Sequence, residues 1–149
     1  MMKSQNFKKG FTLIELLIVI AIIGVLATLL MANFVGVRQR ARDAQRKSDV
    51  RQIQAALEIY RSDNYSYPLD AGREYPSSCG KGVSLKKDTT TYMANIPCDP
   101  NGTSVPYAYS SGGNDYTLIA CLENANDSQA DSPKVGCGGK AASVTVKNP

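Results

Sequence analysis

The chain has 149 residues, a formal net charge of +4 and no histidine. Without histidine the usual acid–base and triad chemistries lose their commonest base. No glycine-rich phosphate loop follows a strand pattern either, so composition argues against an enzyme.

The first ten residues carry Lys3, Lys8 and Lys9 and end in Gly10. From Phe11 to Leu30 the residues are almost all apolar, with Glu15 the one charge. Twenty helical residues span about 30 Å, the hydrocarbon thickness of a bilayer. A cleavable secretory signal would need a shorter apolar core and a small-x-small cleavage site. The nearest approach to such a site is Leu30-Met31-Ala32, after a run that is already too long. A plain signal anchor leaves Glu15 unexplained, and a carboxylate in a membrane segment is costly and usually functional.

The stretch Lys8-Lys9-Gly10-Phe11-Thr12-Leu13-Ile14-Glu15-Leu16, continued by Leu17-Ile-Val-Ile-Ala21-Ile-Ile-Gly24-Val-Leu-Ala27, resembles the processing site of type IV prepilins and of the related pseudopilins of type II secretion. The resemblance covers about the first 60 residues. It implies cleavage after Gly10 by a prepilin peptidase and methylation of the new amino terminus on Phe11. It further implies that Glu15 meets the Phe11 amine of a neighbouring subunit during assembly. Physics is compatible with this: an unpaired charge in apolar surroundings is unfavourable and a paired one tolerable.

From Phe11 to Ser62 there is no proline, and Ser62-Asp63-Asn64 followed by Tyr67-Pro68 reads as a stop. The expectation is one helix of about 50 residues. Gly24, Thr28, Ala32 and Gly36 recur every fourth position, a spacing that lets helices approach closely. Many pilins carry a kinking proline at the position of Ala32; here Asn33 and Gly36 allow only local loosening. Farther on, Val50, Ile53, Leu57 and Tyr60 mark one apolar face, with Ala41, Ala44 and Ala56 small enough for close packing.

Arg38, Arg40, Arg42, Arg46, Lys47 and Arg51 lie against only Asp43 and Asp49. The positive-inside rule alone would place this cluster in the cytoplasm. The leader resemblance and the cysteines argue instead for an inside amino terminus and an outside head. The basic stretch then reads as a solvated charge face or one pairing with acids of a neighbouring subunit, with binding of phosphate, in nucleic acid or lipid, as the alternative. Loss of the three leader lysines leaves +1 in side chains, so the remainder is not strongly basic.

Cys79, Cys98, Cys121 and Cys137 all follow the long helix. An even count in an exported domain of this size points to two disulfides, with three connectivities open. Pairing Cys79 with Cys98 and Cys121 with Cys137 would close two local loops, and the second resembles the carboxy-terminal staple of family members. A zinc site is disfavoured by the long spacings and the missing histidine.

The remainder reads as a small β-rich head. Residues 63–100 form a long connection with a short strand or helical turn near Thr91–Ile96. Val105–Ser110 is a strand, Ser111–Asn114 a turn, Tyr116–Leu122 the strongest strand and Ala142–Val146 the last. Asp99, Asn101, Asn114, Asp115 and Asp127 are weak calcium candidates beside an ordinary turn reading. Asn64, Asn101 and Asn126 head glycosylation sequons. The tyrosines and serines of the head fit an adhesive surface as well as ordinary exposure.

The expected architecture is α+β: leader 1–10, membrane or filament-core half-helix 11–37, amphipathic half-helix 38–62, and head 63–149. The expected role is a structural subunit of a type IV pilus, serving adhesion, motility or DNA uptake. The alternatives are a minor pilin, a type II secretion pseudopilin, or a membrane-anchored binding domain that never polymerises. Two disulfides and no clear calcium loop weigh mildly against the pseudopilin. The implied partners are further copies of the chain, the prepilin peptidase, an inner-membrane platform protein, a cytoplasmic assembly ATPase and minor pilins. The membrane serves as reservoir before export to a surface filament. No cofactor or metal is expected beyond the calcium candidates.

Overall fold

The computed structural model describes residues 10–70, 74–102, 105–133, 137 and 142–148, without the side chains of Ala32 and Asn33. The leader lysines lie outside this set. A single helix, α1, runs from Leu13 to Asn64. It begins two residues later than expected because Thr12 acts as its N-cap, its hydroxyl accepting the Glu15 N–H at 3.3 Å. At the other end Asn64 donates its side-chain amide to the Tyr60 carbonyl at 2.8 Å. Tyr65 then turns left-handed at φ 58°, and its N–H closes on the Arg61 carbonyl. The backbone stays helical through residues 32–36, so the loosening allowed for at Asn33 and Gly36 does not occur.

The chain divides into two compact units, Met1–Val37 and Arg38–Pro149. In the first, the aliphatic side chains from Leu13 to Val37 that bear on a membrane reading are exposed, and Leu13–Met31 is long and apolar enough to cross a bilayer.

In the second unit, β1 (Leu85–Lys87) and β2 (Thr90–Met93) form an antiparallel hairpin. β3 (Ala108–Ser111), β4 (Tyr116–Leu122) and β5 (Ala142–Lys147) form an antiparallel sheet in the order β3-β4-β5. β4 alternates strictly, burying Tyr116, Leu118, Ala120 and Leu122. These side chains, Leu122 apart, share one core with Val50, Ile53, Ala56, Leu57 and Tyr60 of α1. Burial of such a stripe removes apolar surface from water at about 25 cal/mol per Å², which is what holds helix and sheet together.

Four expectations need correction. Ala41 and Ala44 are exposed, and only Ala56 joins the core. The strand expected from Val105 starts at Ala108, since Pro106 has no N–H to give a ladder. The hairpin partner β1 was missed because Leu85 is its one buried residue. Six of the eight tyrosines are buried, so they do not form an adhesive surface; Tyr65 is the one fully displayed.

Gly113, at φ 97°, occupies the β3–β4 connection, where its carbonyl accepts the Tyr67 N–H at 2.7 Å. That bond fastens the connection beside the end of α1, in a backbone conformation that favours glycine.

Cys79 bonds Cys98, and Cys121 bonds Cys137. These are the two local loops, with sequence separations of 19 and 16. The second anchors the segment after β4 to the central strand. Replacing Cys121 and Cys137 together by serine is expected to lower unfolding free energy by about 3 kcal/mol, the chain-entropy value for a loop of this size. Chemical denaturation of oxidised wild type against the variant measures it.

Candidate functional site

At the start of α1, one Glu15 carboxylate oxygen accepts both the Thr12 N–H and the Thr12 hydroxyl, each at 2.8 Å. With the return bond from the Glu15 N–H this is a complete capping box. Gly10 and Phe11 precede it as exposed chain, Phe11 being 90 % accessible. Thr12 was not singled out from the sequence, although Thr-x-x-Glu before an apolar run is the capping signature. Glu15 therefore has a partner within its own chain and lies close in sequence to the Gly10–Phe11 bond.

Of the small-residue ridge, Gly24 and Gly36 face open space, and Thr28 returns its hydroxyl to the Val25 carbonyl.

The second cluster lies wholly in the larger unit. Asp43, Arg46, Val50, Ile53, Leu57 and Tyr60 recur at intervals of three and four, and all six are buried. The inward stripe of α1 is thus apolar at one end and ionic at the other. Arg46 is fully buried and donates Nε and Nη2 to the two oxygens of Asp99 at 2.8 and 2.9 Å. Its Nη1 reaches Asp43 at 2.6 Å and Glu123 at 2.8 Å. Asp43 also accepts the backbone N–H groups of Glu123 and Asn124. Arg42 grips Glu123, Asn101 donates its amide to the same carboxylate, and Lys47 reaches Asp127 at 2.9 Å. Farther along, the Tyr107 hydroxyl donates to Asp49 at 2.8 Å. Together these bonds clamp the loops around Asp99 and Glu123 onto one side of α1.

Burial works against the Arg46 charge. Hydrogen bonds to Asp99, Glu123 and Asp43 outweigh it and hold the guanidinium above its ordinary value. The basic stretch is thereby reassigned in part: Arg42, Arg46 and Lys47 pair with acids of their own head. Arg40 and Arg51 remain exposed.

Glu123 is held at about 2, first by the hydrogen bond from Arg42, with burial opposing and Arg46 and Asn101 assisting. Asp127 is lowered chiefly by Lys47. Asp49 moves the other way, raised by burial against the Tyr107 bond. A depressed folded value means that Glu123 stabilises fully above its unfolded value of about 4.3. That contribution is lost as pH falls from there towards 2. The melting temperature of the chain in detergent is expected to be level from about pH 7 to 5 and to drop below about pH 4. A Glu123→Gln variant should start lower and show a shallower drop.

The calcium candidates are scattered. Asp99 and Asp127 lie in the cluster, Asn101 beside it, and Asn114 and Asp115 in the β3–β4 connection. Among the sequon residues, Asn64 donates its side-chain amide to the Tyr60 carbonyl and Tyr92 hydroxyl, and Asn101 to Glu123.

An apolar helix headed by a Gly-Phe junction and Glu15, followed by a disulfide-stapled α+β head, defines a type IV pilin-like subunit. A model of the prokaryotic N-terminal methylation motif matches residues 5–31, and one of type II secretion system protein G matches residues 33–135. The chain is 33 % identical over 135 residues to type II secretion system core protein G of Pseudomonas aeruginosa, covering 83 % of this chain and 92 % of that protein. It is 32 % identical over 123 residues to the Escherichia coli protein of the same name, covering 79 % and 76 %. The Klebsiella pneumoniae protein is 41 % identical over 101 residues, covering 64 % and 71 %. No solved structure matches the chain. The chain belongs to the type II secretion system protein G family, a pseudopilin branch of the type IV pilin-like proteins. The head thus favours the alternative, a secretion pseudopilin, over the pilus reading, and two disulfides are no bar to it.

Proposed function

We propose that the chain is a structural pseudopilin that polymerises into the filament of a type II secretion system and has no catalytic role. It is made as a precursor cut between Gly10 and Phe11 and methylated on Phe11. It waits with its amino terminus inside and its head outside, held by Leu13–Met31. A peptidase, a membrane platform protein and an assembly ATPase then move it into a helical stack of its own kind. The carrying observation is that the methylation motif and the protein G head occur in one chain, at residues 5–31 and 33–135.

Helices that leave lipid need equally apolar surroundings, and copies of the same exposed helix supply them. Glu15 then exchanges its capping partner, or shares it, with the Phe11 amine of a neighbour. Mass spectrometry of the mature chain tests the processing step. The expected amino terminus is Phe11 carrying a methyl group; an intact leader in cells that hold the peptidase would contradict it. Loss of secreted substrates on deletion, restored by the intact gene, tests the pathway.

A further inference from the structure

A calcium ion needs six to eight oxygen ligands converging at one point. The five candidate residues, Asp99, Asn101, Asn114, Asp115 and Asp127, do not converge. The Tyr67–Gly113 bond holds Asn114 and Asp115 near the end of α1, whereas Asp127 meets α1 at Lys47. Seventeen helical residues from Lys47 to Asn64 correspond to about 25 Å.

Three acids of this cluster, Asp99, Glu123 and Asp127, are already committed to cations. Both oxygens of Asp99 accept from Arg46. Asp127 gives one oxygen to the Lys47 ammonium and the other to the Gln129 N–H. Glu123 is shared by Arg42, Arg46 and Asn101. Among the described residues no group of three acidic side chains is placed to hold a metal ion; the three that meet do so around a guanidinium. A divalent ion at Asp127 would have to approach within hydrogen-bonding range of a fixed ammonium, which like-charge repulsion opposes.

We propose that the first part of the segment after β4, residues 123–127, is closed onto α1 by cations built into the chain, Arg42, Arg46 and Lys47, together with the Cys121–Cys137 bond, while Asp131 fastens the far end to β5 through Ser143 and Thr145, and that this closure needs no divalent metal. The helix supplies the positive charge that a bound ion would otherwise bring. It does so from Arg42, Arg46 and Lys47, within two turns of α1, of which Arg46 lies on the buried stripe.

The test uses the full oxidised chain in detergent micelles, with hydrogen exchange read over residues 123–127 and melting followed in parallel. Excess EGTA and excess calcium chloride are expected to give the same exchange and the same melting temperature. Lys47→Met should speed exchange in the segment several-fold, and the swap Lys47→Asp with Asp127→Lys should restore much of the protection. If Lys47→Met fails to fold, the milder Asp127→Asn gives the same reading. Chelation that loosens the segment, with calcium restoring it, would overturn the proposal. Unchanged exchange in both Lys47→Met and Asp127→Asn would overturn it too.

Discussion

Arg46→Ala is expected to destabilise the larger unit by about 3–5 kcal/mol, the cost of breaking a buried ion pair from one side. The reason is what remains. Asp43 and Asp99 are 1 % and 6 % exposed, and without the guanidinium they stay buried without the cation that offsets their charge. A domain has only about 5–15 kcal/mol in total, so this one change removes a large share. Asp99 should also release the backbone it organises, since its carboxylate holds the Asn101 N–H at 2.9 Å. The double change Arg46→Met with Asp99→Leu should recover part of the loss, because an apolar pair of similar volume often replaces a buried ion pair without penalty. Recovery will be incomplete, as Asp43 still faces the site. Denaturant melts of wild type, Arg46→Ala and the double variant measure both numbers. A loss under about 1 kcal/mol for Arg46→Ala, the range of exposed pairs, would show that the cluster is not closed.

The second large effect concerns assembly. Glu15 has two separable properties: it completes the capping box with Thr12, and it carries a charge at the head of an apolar helix. Glutamine retains the first and removes the second. Glu15→Gln is therefore expected to leave processing and membrane insertion intact while filament yield falls roughly tenfold or more, as when one partner of a desolvated interfacial charge pair is lost. Glu15→Ala should lose assembly and also fray the first turn. Sheared filaments, quantified against membrane-held subunit, report the yield. Equal yield from Glu15→Gln and wild type would assign Glu15 to capping alone.

The buried half of α1 was legible where it was apolar. Val50, Ile53, Leu57 and Tyr60 announced their face by spacing, and the same spacing runs back to Arg46 and Asp43. Charge concealed it there, because a periodicity argument treats arginine and aspartate as solvent residues until their partners are known. Those partners, Asp99 and Glu123, lie 53 and 77 positions away from Arg46, beyond any local pattern. The tyrosines were concealed for a related reason. Each has an apolar ring to bury and a hydroxyl that needs one acceptor. Asp49 serves Tyr107, the Pro68 carbonyl serves Tyr109, and Glu58 serves Tyr67. Only the fold brings those acceptors within reach. The leader junction, by contrast, is read along the chain, so its residues could be named at once. The choice between pilus and pseudopilin lay in the head, whose short strands and polar loops carry little local signal.

In the assembled filament the helix headed by Glu15 is expected to end among copies of itself. An electron cryomicroscopy reconstruction of filaments sheared from cells holding the complete secretion machinery tests it most directly. The expected map has the Leu13–Met31 segments of many subunits bundled at the axis, heads outside, and each Glu15 carboxylate within hydrogen-bonding distance of a neighbour's Phe11 amine. Filaments built through the heads alone, with Leu13–Met31 left in detergent or lipid, would contradict it.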